Sequence, residues 1–172
     1  MKFFIDLLRG FPGHPSHPPL TDASIGAYTA GTAFVVVGWL GFLPDKFPLA
    51  QAGFLAIAIG LIVALPTVIT GFADYFSIRR GTGLRRLANI HWVVMASGTA
   101  TFGAAAFLLW QTFDTGTVSA AAALVTLGAF GLLVIGGYVG GTMVFEYGIR
   151  VVKVPEDTPI SETLRPKFPP GG

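Results

Sequence analysis

The sequence predicts an all-α membrane protein, a bundle of four transmembrane helices with the N- and C-termini on the cytoplasmic side. Three observations carry this. Four long apolar stretches alternate with polar connections. Apolar residues make up 52% of the chain and charged residues 12%, about half the charged fraction of a soluble domain. Lys and Arg fall almost wholly on one side once the stretches are threaded through a bilayer.

A helix spans the hydrocarbon with roughly 20 mostly apolar residues. Four stretches qualify: Ser24 to Leu43, Leu49 to Phe76, Leu87 to Phe113 and Val118 to Tyr147. None shows the period-2 alternation of a barrel strand, so each reads as a helix. Pro44-Asp45-Lys46-Phe47-Pro48 and Asp114-Thr115-Gly116-Thr117 read as tight turns. The middle connection is longer and basic, with Arg79, Arg80, Arg85 and Arg86. Pro66 is expected to kink or loosen the second helix.

Before the bundle, residues 1–23 hold a short amphipathic segment and a His-Pro loop. Phe3, Phe4, Leu7 and Leu8 would lie on the membrane surface or on a partner. The segment does not read as a signal peptide, because Asp6 and Arg9 interrupt its apolar run, and a frayed terminus is the alternative reading. The bundle occupies 24–150. Residues 151–172 form a polar, proline-rich tail that is expected to be extended.

Orientation follows from the basic residues. Lys2, Arg9, the four arginines of the middle connection, Arg150, Lys153, Arg165 and Lys167 share one face, and Lys46 lies on the other. The positive-inside rule assigns the first face to the cytoplasm and the chain to the inner (plasma) membrane as a multi-pass protein. A net charge of +2 gives no ground for a nucleic-acid partner. With no cysteine, disulfides, thiolate metal sites and covalently attached haem are excluded.

Ionisable groups at membrane depth are functional candidates by default. His91 lies about one turn inside the third helix. It either bonds a backbone group of the second or fourth helix or serves as an axial ligand to haem or as a metal ligand. Asp74, at the end of the second helix, either pairs with a loop arginine such as Arg79 or Arg86 or holds His91 or a metal. Glu146 stands four residues before Arg150, the spacing of an intrahelical ion pair, or joins Asp74 in a polar cluster. His14 and His17 each precede a proline, which favours extended geometry. They belong to a stiff loop that enters the first helix with Thr21, Asp22 or Ser24 as N-cap. The alternating topology brings His14, His17, Asp74, His91 and Glu146 to the same side. On helix four, Gly136-Gly137-Tyr138-Val139-Gly140-Gly141 offers either a helix-packing face or a bare face for a flat cofactor or lipid.

These residues resemble a bacterial membrane-protein family called domain of unknown function 2231. The shared features are His14-Pro15-Ser16-His17-Pro18, Gly71-Phe72-Ala73-Asp74-Tyr75, the arginine-rich loop leading to His91, Gly137-Tyr138-Val139-Gly140-Gly141 and Val144-Phe145-Glu146-Tyr147-Gly148. The resemblance runs from Gly13 to Val152. Members usually carry tyrosine where Phe145 stands. Some relatives are fused to Rieske-type or cytochrome-type domains, so the resemblance implies electron-transfer surroundings.

Two functions fit. In the first, a redox-linked protein holds haem b or a non-haem metal ion at the cytoplasmic end, with His91, His17 and His14 as cofactor ligands. Asp74 and Glu146 join the three histidines as metal candidates. In the second, the chain is a non-catalytic accessory subunit of a larger respiratory or photosynthetic membrane complex, packed among other membrane-protein subunits. Nothing resembles a nucleophile–base arrangement, so an enzyme is not expected. No inverted repeat is visible and Pro66 is the only strong helix interruption, which argues against a transporter.

Overall fold

The computed structural model describes residues 2–11, 14–43 and 47–163. Pro44, Asp45 and Lys46 of the expected first turn lie outside the described residues, as do Gly13 and residues 164–172 of the tail with Arg165 and Lys167. The side chains of Phe3 and Phe4 are also outside them.

The elements are α1 (Lys2–Arg9), a two-residue antiparallel pair β1 (Gly10–Phe11) and β2 (His14–Pro15), α2 (His17–Leu40), α3 (Leu49–Tyr75), α4 (Gly83–Gln111), α5 (Ala120–Phe145) and the single turn α6 (Ile160–Thr163). Helices α2 to α5 are each long and apolar enough to cross a membrane. Leu55, Ile59, Ile62, Leu65 and Ile69 of α3 and Leu124, Leu127 and Val134 of α5 are exposed. These are the faces that hydrocarbon would cover.

The helix ends correct the sequence reading in two places. Helix α2 starts at His17, two turns before Ser24, with Pro18 and Pro19 inside its first turn. The first turn has no intrahelical use for its N–H groups, so proline starts this helix rather than blocking it. Ser16 takes the N-cap position instead of Thr21, Asp22 or Ser24. Helix α4 starts at Gly83, and the Thr82 hydroxyl accepts from the Arg85 N–H, so Arg85 and Arg86 belong to a helix and not to the loop. Helix α3 runs on through Pro66.

The four spans are two versions of one helical hairpin. Helix α2 packs chiefly on α3, and α4 chiefly on α5, with lesser contacts of α3 on α4 and α2 on α5. The buried residues of α2 are Ser24, Tyr28, Gly31, Thr32 and Val35. At the same spacing, α4 buries Gly98, Phe102, Ala105, Ala106 and Leu109. The buried Gly53, Ile57, Gly60, Ala64 and Asp74 of α3 are matched in the same way by Ala122, Thr126, Ala129, Leu133 and Met143 of α5. A shift of 74 residues therefore carries α2 onto α4 and one of 69 carries α3 onto α5, so the second hairpin repeats the first with five residues fewer between its helices. The two hairpins run the same way, so the relation is a local two-fold axis parallel to the helices.

Tyr28 and Phe102 locate that axis. The two are equivalent under the shift, and their rings stack 4.1 Å apart with planes 2° from parallel. A residue in contact with its own equivalent must lie beside the axis. Close helix approach supports the stack. A Cβ on Gly60 would stand 2.6 Å from the Tyr28 ring, and one on Gly31 would stand 2.6 Å from Ile57. Small residues at such contacts are how membrane helices gain packing energy without water to expel.

Candidate functional site: the histidine pair and arginine clasp

The end of the bundle formed by α1, the α3–α4 connection and the residues after α5 is termed the basic end. Five polar residues were expected to meet here, and the structure sorts them.

His17 and His91 are equivalent under the hairpin shift, and their surroundings are equivalent too. His17 Nδ1 lies 3.0 Å from the Thr67 carbonyl oxygen and 3.4 Å from the Thr70 hydroxyl of α3. His91 Nδ1 lies 2.9 Å from the Gly136 carbonyl oxygen of α5. A carbonyl oxygen only accepts, so Nδ1 carries a proton in both rings, and in the neutral imidazole Nε2 then keeps its lone pair. One turn beyond each carbonyl stands a glycine. A Cβ on Gly71 would lie 2.8 Å from His17 Cε1, and a Cβ on Gly140 would lie 3.0 Å from His91 Cε1. Each imidazole thus sits in a cradle that any larger residue would fill. His17 Nε2 has only a 3.5 Å contact with the Thr21 hydroxyl, which itself donates to the His17 carbonyl at 3.0 Å. For His91, the reading of a bond to a helix-four backbone group matches the structure. The glycine run divides accordingly: Gly136 packs under Met95 and Gly140 under His91, while Gly137 faces open space.

Asp74 departs from its expected pairing. Its carboxylate lies 3.2 Å from Arg9 Nε and 3.2 Å from Arg150 Nε. It therefore pairs neither with Arg79 nor with Arg86, and does not orient His91. The cause is direction. Asp74 is buried in the last turn of α3, whereas Arg79, Arg80 and Arg86 are exposed. Arg85 is committed elsewhere, donating from Nη1 to the Tyr75 carbonyl at 2.6 Å and the Ile78 carbonyl at 3.2 Å, with its guanidinium 3.5 Å from the Tyr75 ring centre. It closes the end of α3 as a C-terminal cation does.

Arg150 also donates from Nη2 to the Arg9 carbonyl, and to the Gly10 carbonyl at 3.5 Å. Two distant parts of the chain are clasped to α3 in this way. Arg150 adopts φ 59°, a left-handed conformation costing a non-glycine residue about 1–3 kcal/mol. Its partners hold it there. The expected Glu146–Arg150 pair does not form, because Arg150 is drawn to Asp74 and Glu146 is exposed beyond the end of α5.

His14 is exposed in β2, where it pairs with Phe11 of β1. Among the described residues, no three His, Asp or Glu side chains form a group that could hold a metal ion. The structure therefore brings together Asp74, Arg9 and Arg150, and sets His17 and His91 in equivalent cradles against α3 and α5. It leaves His14 and Glu146 outside. Arg9 and Arg150 were missed as partners of Asp74, since spacing alone cannot choose among arginines that share one face.

The donor set is two neutral imidazoles without thiolate or free carboxylate. That suits a group needing two further nitrogen ligands, as haem does. It does not assemble the three or four protein ligands of a structural or catalytic zinc site.

No curated protein and no solved structure matches the chain. A family model described as a predicted membrane protein, domain of unknown function 2231, matches residues 13–153. That match takes in all four long helices, both cradled histidines and Asp74, and the chain belongs to this family of predicted membrane proteins.

Proposed function

We propose that this chain is a redox-linked integral membrane protein. Its basic end faces the cytoplasm and holds haem or a transition-metal ion on His17 and His91. The carrying observation is the shared state of the two rings. Each gives its Nδ1 proton to a backbone carbonyl, at 3.0 Å for His17 and 2.9 Å for His91. Such a bond fixes ring orientation and tautomer and raises the basicity of Nε2, the arrangement found behind metal-bound histidine. Haem or a transition metal would supply one-electron chemistry. The protein's part is to orient two imidazoles and keep them neutral. Arg79 and Arg80 of the connection and Arg85 and Arg86 at the start of α4 support this orientation by the positive-inside rule.

The test is an optical spectrum of gently purified protein, oxidised and then reduced, with elemental analysis of the same sample. The proposal expects a Soret band or stoichiometric metal. Absence of both overturns it.

A second reading, an accessory subunit of a larger membrane complex, draws on a different observation. The Arg9–Asp74–Arg150 clasp ties two terminal segments to α3, and residues 151–157 beyond it are exposed without helix or strand. An exposed segment of this kind suits packing along other membrane subunits. Isolation of a stable larger assembly from native membranes supports this reading, and a solitary chain in mild detergent counts against it.

A further inference from the structure

We propose that the two histidines form one joint site astride the two-fold axis of the duplicated hairpin, and that its ligand is a non-covalently bound iron porphyrin rather than a bare metal ion. This rests on the functional reading above and narrows it to one ligand class.

Equivalence comes first. The 74-residue shift that carries Tyr28 onto Phe102 also carries His17 onto His91, and the 69-residue shift that carries α3 onto α5 carries Thr67 onto Gly136 and Gly71 onto Gly140. The hydrogen bonds and the glycine cradles obey it at both histidines. The inward stripe of α2 runs through His17, Ser24, Tyr28 and Val35, and that of α4 through His91, Gly98, Phe102 and Leu109. Since Tyr28 meets Phe102 beside the axis, His17 and His91 flank the same axis three turns away, about 16 Å toward the basic end. Two donors related by a two-fold axis suit one ligand that is itself two-fold in its demand.

Donor number then selects the ligand. A bare first-row ion takes four to six donors, and among the described residues no third His, Asp or Glu joins the pair. An iron porphyrin brings four nitrogens of its own and needs two axial ones. The absence of cysteine leaves non-covalent attachment. Charge agrees as well. Two guanidiniums share one carboxylate at Asp74, so positive charge is in surplus beside His17. A porphyrin directs two carboxylates to one edge, and the basic end is where they would be received.

The experiment titrates the purified full-length chain in mild detergent with hemin, and separately with Zn2+ and Co2+. Expected is one hemin per chain with a low-spin, two-imidazole spectrum. His17→Gln and His91→Gln keep an N–H for the carbonyl and so preserve the fold, checked by helix content. Each is expected to weaken hemin binding by at least about tenfold and to turn the spectrum high-spin, with added imidazole restoring the low-spin form. Hemin uptake that both variants leave unchanged overturns the proposal as mere partitioning into detergent. Stoichiometric Zn2+ or Co2+ binding lost in both variants, without hemin binding, overturns the porphyrin and leaves the metal-ion reading standing. Binding of neither overturns both.

Discussion

The ring of Tyr28 lies flat on that of Phe102, 4.1 Å between centroids. The contact joins equivalent residues of two helical hairpins and so marks the centre of the bundle. Both rings are almost wholly buried, at 2% and 0% exposure. Phe102→Ala is expected to cost about 3–5 kcal/mol through the cavity it leaves. The Tyr28/Phe102 double-mutant cycle should return a coupling of about 0.5–1.5 kcal/mol. Reversible unfolding in mixed detergent measures both, and independent, additive losses would contradict the stack.

The glycine cradles give a contrast within one helix. Gly140→Leu fills the space of the His91 ring, while Gly137→Leu points a side chain into open space. The first is expected to displace His91 from the Gly136 carbonyl and abolish ligand binding. The second should leave folding and binding intact. Ligand titration of both proteins checks this, and equal effects would contradict the geometry.

Removing the carboxylate of the clasp leaves two arginines facing each other. Asp74→Asn is expected to destabilise the protein by about 3 kcal/mol and to free α1. Arg9→Gln, which leaves the Asp74–Arg150 pair, should cost less. Limited proteolysis near Gly10 and thermal melting together report this. An Asp74→Asn protein as resistant as the wild type would contradict the clasp.

Orientation has its own check. A tag placed after Gly172 should react only from the cytoplasm, and one inserted at Gly116 only from the opposite side. A C-terminal tag labelled from outside intact cells would reverse the proposed topology.

Much of the fold was legible in the sequence because spans depend on length and hydropathy, which are local. The second helix, expected to end at Phe76, ends at Tyr75. The start of the first was not legible. Pro18 and Pro19 read as a barrier, whereas in a first turn they are compatible with helix, and so His17 moved from loop to helix. The duplication was hidden because packing preserves position and not identity. Thr32 becomes Ala106 and Gly60 becomes Ala129, and among the residues that carry the site the histidines and the cradle glycines Gly71 and Gly140 remain identical. The equal spacing of His17 to Tyr28 and His91 to Phe102 was the available signal. The partners of Asp74 were illegible for another reason. Several arginines share one face, and only folded direction decides which of them turn inward.

The most direct measurement is the reduced-minus-oxidised optical spectrum of protein purified from its native membrane, recorded for the wild type, His17→Gln and His91→Gln. The account predicts a cofactor spectrum in the wild type that both substitutions alter to the same extent, because the two rings hold equivalent places. A featureless wild-type sample that is also free of stoichiometric metal, or a spectrum indifferent to both histidines, would contradict it.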